Sequence, residues 1–242
     1  MSPLDSLLSD LFDGRQTPLA REFEGWLRDS RRYLAFATTY KTKIRAKLRN
    51  ARDDDDRMAV RAELEAAALL LREQRFTVEY EKYAAAKQRG PDFTVTWKGH
   101  TPFNVEVRRL RDHDLTDLPG PVRSDPTEAR AARLMAVLLD KVRQMPPGIA
   151  NVLWLAAEAE VAEGELAQAA LALRQLAERT DDAFFARRGF EGAADYLRQS
   201  ARLSAVVSHR PAGGALWLNP LARHRLPSEL AAALRRLSRE PA

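Results

Sequence analysis

The chain has 242 residues, 45% hydrophobic and 30% charged, the composition of a soluble globular protein able to bury a core. It contains no cysteine, which excludes disulfides, zinc–thiolate centres and cysteine nucleophiles and fits a reducing cytoplasm. The formal net charge is only +5, but the charge is unevenly placed.

The N-terminus, SPLDSLLSDLF, has no basic segment followed by a long apolar run. No stretch reaches the roughly 18 uninterrupted apolar residues of a membrane span, so a cytoplasmic protein is expected rather than a secreted or membrane one. From Arg31 to Arg52 the chain carries eight Lys or Arg and no acid, interleaved with Tyr33, Phe36 and Tyr40. Lys41, Arg45 and Arg49 fall at i, i+4 and i+8 and share one helical stripe. With Lys43 and Lys47 they form a basic helix expected to attract phosphate backbones in a salt-dependent way, its aromatics packing on the core. A helix ends near Asn50. The acidic run Asp53 to Asp56 caps the next one, where negative charge suits the positive end of the helix dipole, and it lacks the alternating ligands and glycine of a calcium loop. The boundary divides a basic helical extension, residues 1–52, from an α/β domain, residues 53–242, a mixed sheet flanked by helices.

A helix is predicted from about Asp56 to Glu73 and a strand over Thr77–Tyr80. Residues 91–108, PDFTVTWKGHTPFNVEVR, read as two period-2 strands joined by a Lys-Gly turn. Alternation sends Phe93, Val95 and Trp97 to one face with Phe103, Val105 and Val107, and places Asp92, Thr94, Thr96, Asn104, Glu106 and Arg108 on the other. A hairpin folded near Gly99 sets Asp92 opposite the Glu106–Arg108 end, so two carboxylates meet beside a cation. Carboxylate oxygens suit Mg²⁺ or Mn²⁺, and a metal so held activates water and stabilises a leaving oxygen.

A helix follows from about Pro126 to Gln144, and then a strand over Asn151–Ala156. The alanine-rich stretch after Glu158 reads as a helix packed on the sheet. Asp181 to Arg202 reads as a loop and a short helix, Leu203–His209 and Ala215–Leu218 as a second hairpin, and Pro227 to Arg239 as a final helix. The four histidines have no i, i+4 pairing, and no dinucleotide fingerprint, phosphate-binding lysine loop or serine elbow is present.

The Pro-Asp strand, the Glu-x-Arg triplet and the order helix, three-strand meander, helix, strand resemble the PD-(D/E)xK phosphodiesterase superfamily, with its restriction-endonuclease-like core. The resemblance covers about Asp56 to Glu158. It implies a metal-dependent nuclease in which Asp92 and Glu106 hold Mg²⁺, and in which Glu63 or Glu65 on the first helix completes the metal site. The second core helix of that group carries a polar pair, here Lys141 and Gln144. The family's lysine is Arg108 here, and guanidinium stays charged and more weakly hydrated than an ammonium. Lys87 and Lys141 are the positions from which an amine would be supplied instead. The resemblance further implies DNA or RNA as partner and admits a homodimer. The alternative reading is a catalytically inactive nuclease-like module that binds nucleic acid or protein.

Overall fold

Apolar alternation and helical periodicity are realised as one six-stranded mixed sheet between two helical layers, seen in a computed structural model that describes residues 3–83, 90–112 and 126–241, with 126–129 traced in backbone only. Lys87 and His113 lie outside the described residues. Four helices lead in: α1 (Pro3–Phe12), α2 (Pro18–Asp29), α3 (Arg31–Thr39) and α4 (Lys41–Asn50). The core follows as α5 (Asp54–Arg72), β1 (Phe76–Tyr80), β2 (Phe93–Trp97), β3 (Thr101–Leu110), α6 (Pro126–Val142) and β4 (Ala150–Ala157). Then come α7 (Glu163–Glu178), α8 (Asp182–Ala186), α9 (Ala193–Ser200), β5 (Leu203–His209), β6 (Ala215–Leu218) and α10 (Ser228–Leu237).

The strands lie in sequence order, with β1, β2 and β3 antiparallel. β4 adds parallel to β3 after α6, β5 adds parallel to β4, and β6 closes the edge antiparallel. Lys98 and Gly99 both adopt positive φ (50° and 77°), the left-handed backbone that a tight hairpin between right-twisted strands requires.

Each sheet face buries its own core. Phe76, Tyr80, Phe93, Val95, Phe103, Val105 and Trp154 face α1–α5 and α10, while Leu153, Leu155, Leu203 and Val206 face α6–α9. Leu11, Phe23, Tyr33 and Ile44 of the basic extension belong to the same core as β1–β3, so residues 1–52 are joined to the sheet by continuous packing. The short helix expected within 181–202 is preceded by another, α8, started by Asp181, whose carboxylate accepts from the Phe184 amide at 2.9 Å. Asp53 caps α5 as expected, accepting from the Asp56 amide at 2.8 Å.

One cation organises the entry to the sheet. The Arg32 guanidinium donates to the carbonyls of Leu71 (2.5 Å) and Glu73 (2.8 Å) and to that of Phe76, tying α3 to the end of α5 and the start of β1. The Leu71 carbonyl belongs to the last turn of α5, where intrahelical donors run out, and Arg32 meets it together with the Glu73 carbonyl, which also accepts from the Phe76 amide at 3.0 Å. Arg32→Met is expected to lower stability by about 2 kcal/mol with an unchanged denaturant slope in urea unfolding. A midpoint identical to that of the wild type would show the guanidinium to be dispensable.

Candidate functional site

The sheet register builds the site. Phe93 pairs with Val105, so Asp92 stands opposite Glu106. On its other side Tyr80 pairs with Phe93, and the Glu81 amide donates to the Asp92 carbonyl at 2.7 Å, which sets Glu81 opposite Asp92. Glu81, Asp92 and Glu106 therefore form an acidic row from the end of β1 and the start of β2 to the middle of β3. Continuing the register would bring Pro91 opposite Val107, but proline has no N–H and the ladder stops there. The Val107 amide turns instead to the Asp92 side chain, donating to its Oδ2 at 2.8 Å.

Helices bring the remaining groups. Glu63 arrives from α5, where the Tyr80 hydroxyl donates to its Oε2 at 2.8 Å. Lys47 of α4 places its Nζ 2.5 Å from Glu63, 3.0 Å from Glu81 and 3.8 Å from Asp92. Lys43, one turn earlier, donates to the carbonyls of Tyr80 (2.9 Å) and Glu81 (3.0 Å). Lys141 of α6 donates to Glu106 Oε1 at 2.8 Å, and both side chains are largely buried, 11% and 15% exposed. Lys141, Gln144, Glu106 and Pro91 line a crevice with Asn104 and Asn151, two buried amides hydrogen-bonded to each other at 3.0 Å across β3 and β4.

The electrostatics follow from crowding acids at low solvent exposure. Burial pushes the Asp92 carboxyl well above its ordinary range, and the charges of Glu63 and Glu106 push the same way, against Lys47 and the Val107 amide. Burial pulls the Lys47 amine down, but Glu63, Asp92 and Glu81 outweigh it, and the amine is pushed up to about 12. The Tyr80 phenol is raised by burial and by Glu63.

The remaining sequence candidates are sorted by this geometry. Of the two α5 acids, only Glu63 reaches the row. Glu65 lies two residues on, roughly 200° around the helix, and pairs with Arg61 at 2.9 Å in a separate cleft of about 140 Å³ that also holds His209. Arg108 is exposed and lines a shallow surface with Asp55, Asp56 and Ala59, so the buried amine beside Glu106 comes from Lys141. The stripe Lys41, Arg45 and Arg49 is met by carboxylates of α1 and its end: Lys41 contacts Asp10, while Arg45 and Arg49 share Asp13, each at 2.8 Å. Those three cations tie α4 to the end of α1 while their side chains stay exposed at the surface. Glu81 and the inward direction of Lys47 were missed from the sequence. Carrying the hairpin register one strand back to β1 finds the first. Lys43 and Lys47 form a second i, i+4 pair on the face of α4 opposite the first stripe, and that finds the second.

The donors of the acidic row and of Glu63 are hard oxygens, the donor type that Mg²⁺ or Mn²⁺ takes, and Asp92 is raised by burial first and by the charges of Glu63 and Glu106 second. Among the described residues no three His, Asp or Glu side chains are gathered tightly enough to hold a metal, and the cations between these carboxylates are ammonium groups. The chain matches no family model, and neither a curated protein nor a solved structure is significantly similar to it. No helix among the described residues is long and apolar enough to cross a membrane.

A raised carboxyl has a defined consequence for stability. Because folding favours protonated Asp92, its contribution is fully present below the ordinary aspartate range and is lost as pH rises through the raised value. In EDTA, Asp92→Asn is therefore expected to melt a few degrees above the wild type at pH 8, with the gap shrinking as pH falls toward 4. A gap independent of pH would mean that Asp92 is not crowded as described.

Proposed function

We propose that the protein is a metal-dependent nuclease that hydrolyses phosphodiester bonds of DNA or RNA, with a site of PD-(D/E)xK type. The observation that carries this reading is the convergence of Asp92, Glu106, Glu63 and Lys141 from β2, β3, α5 and α6 at the open end of an antiparallel meander. The order α5, β1–β3, α6, β4, with β4 parallel to β3, supports it as well.

In this reading Asp92 and Glu106, assisted by Glu63, would hold Mg²⁺ or Mn²⁺, which when bound supplies a Lewis acid and an activated water. Lys141 takes the part of the motif lysine. Its ammonium is already oriented by Glu106 and carries positive charge to the edge of the crevice, where it offsets the charge developing on a phosphoryl oxygen. A lysine on a flexible stem does this by a single donor, without the planar fork that Arg108 would have brought. The Val107 amide keeps the Asp92 carboxylate aimed along the row. A high isoelectric point, about 9.7, suits a polyanionic substrate.

The test is cleavage of plasmid, single-stranded DNA and RNA in Mg²⁺ and in Mn²⁺. Asp92→Ala, Glu106→Ala and Lys141→Ala are each expected to lose at least about a hundredfold in rate, whereas Glu65→Gln retains the wild-type rate. Silence of the wild type on every substrate, together with no Asp92-dependent metal uptake by calorimetry, would sink the catalytic reading and leave a binding module built on the same scaffold.

A further inference from the structure

A second cleft lies where three parallel strands run out. β3, β4 and β5 end at Leu110, Ala157 and His209, and Arg109, Ala157 and His209 line a space of about 140 Å³ together with Glu65 of α5. The carboxyl ends of parallel strands are where α/β sheets take ligands, because the chain turns away there and leaves a crevice. The acidic row is not part of this lining.

Two polar atoms of the lining are buried without a hydrogen-bond partner among the described residues: Glu65 Oε1 and Arg210 Nε. The Glu65 side chain is only 6% exposed, and its other oxygen accepts from Arg61 at 2.9 Å. Burying a polar atom unpaired is costly, so each of the two calls for a partner. A carboxylate oxygen only accepts and a guanidinium Nε–H only donates, so a matching ligand carries both a donor and an acceptor.

The charges around these atoms are already matched. Arg61 also meets Glu22 at 2.6 Å, Arg109 lies between Glu158 (2.6 Å) and Asp55 (3.0 Å), and Arg210 meets Glu160 at 3.0 Å. Burial pulls the His209 imidazole below its ordinary value, which favours the neutral ring, and its Nε2–H donates to the Glu240 carbonyl at 2.9 Å. A ligand with net charge would meet repulsion as well as attraction here, which leaves a neutral one. Met58, Ala62 and Pro211 add apolar wall. The volume is below the roughly 300 Å³ at which sites for drug-sized molecules begin, and is enough for one small ring system.

We infer that this cleft binds a neutral nucleobase through its lactam edge, the ring N–H meeting Glu65 Oε1 and the adjacent carbonyl oxygen meeting Arg210 Nε. The site is separate from the acidic row, so it stands whether or not that row cleaves a phosphodiester.

Calorimetry and saturation-transfer NMR on the full chain in EDTA test this with three probes: uracil, dimethyluracil, in which methyl groups replace both ring N–H, and a single-stranded oligouridylate. Uracil is expected to bind, and dimethyluracil to bind at least about tenfold more weakly, because a site built to hydrogen-bond an N–H rejects the analogue lacking it. Glu65→Met and Arg210→Met are each expected to weaken uracil at least about tenfold. Arg210 is 29% exposed, so its variant decides the matter should Glu65→Met fail to fold. Uracil bound without the oligouridylate identifies a free base as the ligand. Both bound, with the same loss in the variants, identifies a base carried by a strand. No uptake of uracil or oligouridylate, equal binding of dimethyluracil, or unchanged binding in both variants would each overturn the inference. Benzamidine or benzoate bound more tightly than uracil would assign a charged ligand and overturn it as well.

Discussion

The arrangement turns on the hydrogen bond from the Val107 amide to the Asp92 carboxylate. It gives the Val107 amide a side-chain acceptor just beyond the last paired residue of β2 and fixes the Asp92 carboxylate beside Glu106. From that point the rest of the site is a response to charge. Glu81 and Glu106 flank Asp92 in register, Glu63 adds a fourth acid, and two lysines from helices on opposite sides of the sheet move in to meet them. Cross-strand like charges repel, so the row persists only because the strands are held by the packing around it. Tyr80 and Phe93 stack directly behind at 5.2 Å between ring centroids, with Phe36 packed at a tilt against both. The aromatic cluster supplies the rigidity and the ion pairs supply partial compensation.

Much of this was legible from short-range pattern. Period-2 alternation, the Lys98-Gly99 turn and the polar parity of Asp92, Asn104 and Glu106 gave the β2–β3 pairing, because a hairpin register depends only on its two strands and its turn. The Asp53 cap was equally local. The choice between Glu63 and Glu65 was not, since it depends on the rotation of α5 against the sheet. The fate of the basic stripe was hidden for a related reason. Lys41, Arg45 and Arg49 find their carboxylates on a helix some thirty residues earlier, and no spacing rule within α4 reports a partner so far away. The same distance concealed Arg32, whose three carbonyl acceptors lie about forty residues downstream.

The substitution of arginine at position 108 takes on a different meaning once the helices are placed. An ammonium from α6 lies on the strand acid Glu106, so the cation beside that acid is not the one next to it on β3. Arg108 is left at an exposed strand position, beside Asp55 and Asp56 at the start of α5. The cation that meets Glu106 comes from a helix some thirty-five residues downstream, which is why a triplet read along one strand understates what surrounds that acid.

The clasp between α1 and α4 links the outermost helix to the helix that carries Lys47. Asp13 is held at about 2, well below the usual carboxylate range, by hydrogen bonds from Arg45 and then Arg49, and it adopts a left-handed backbone (φ 52°) at the end of α1. These contacts lie at the surface, where dissolved ions weaken them, whereas the Lys47 contacts lie deeper and are screened less. The two faces of α4 thus respond unequally to the medium. Added salt therefore weakens the α1–α4 ion pairs more than it weakens the contacts of Lys47. Helix α1 is thus held to the sheet by apolar packing of Leu7, Leu11 and Phe12 in a core that salt leaves intact, and only its polar clasp to α4 answers to the medium.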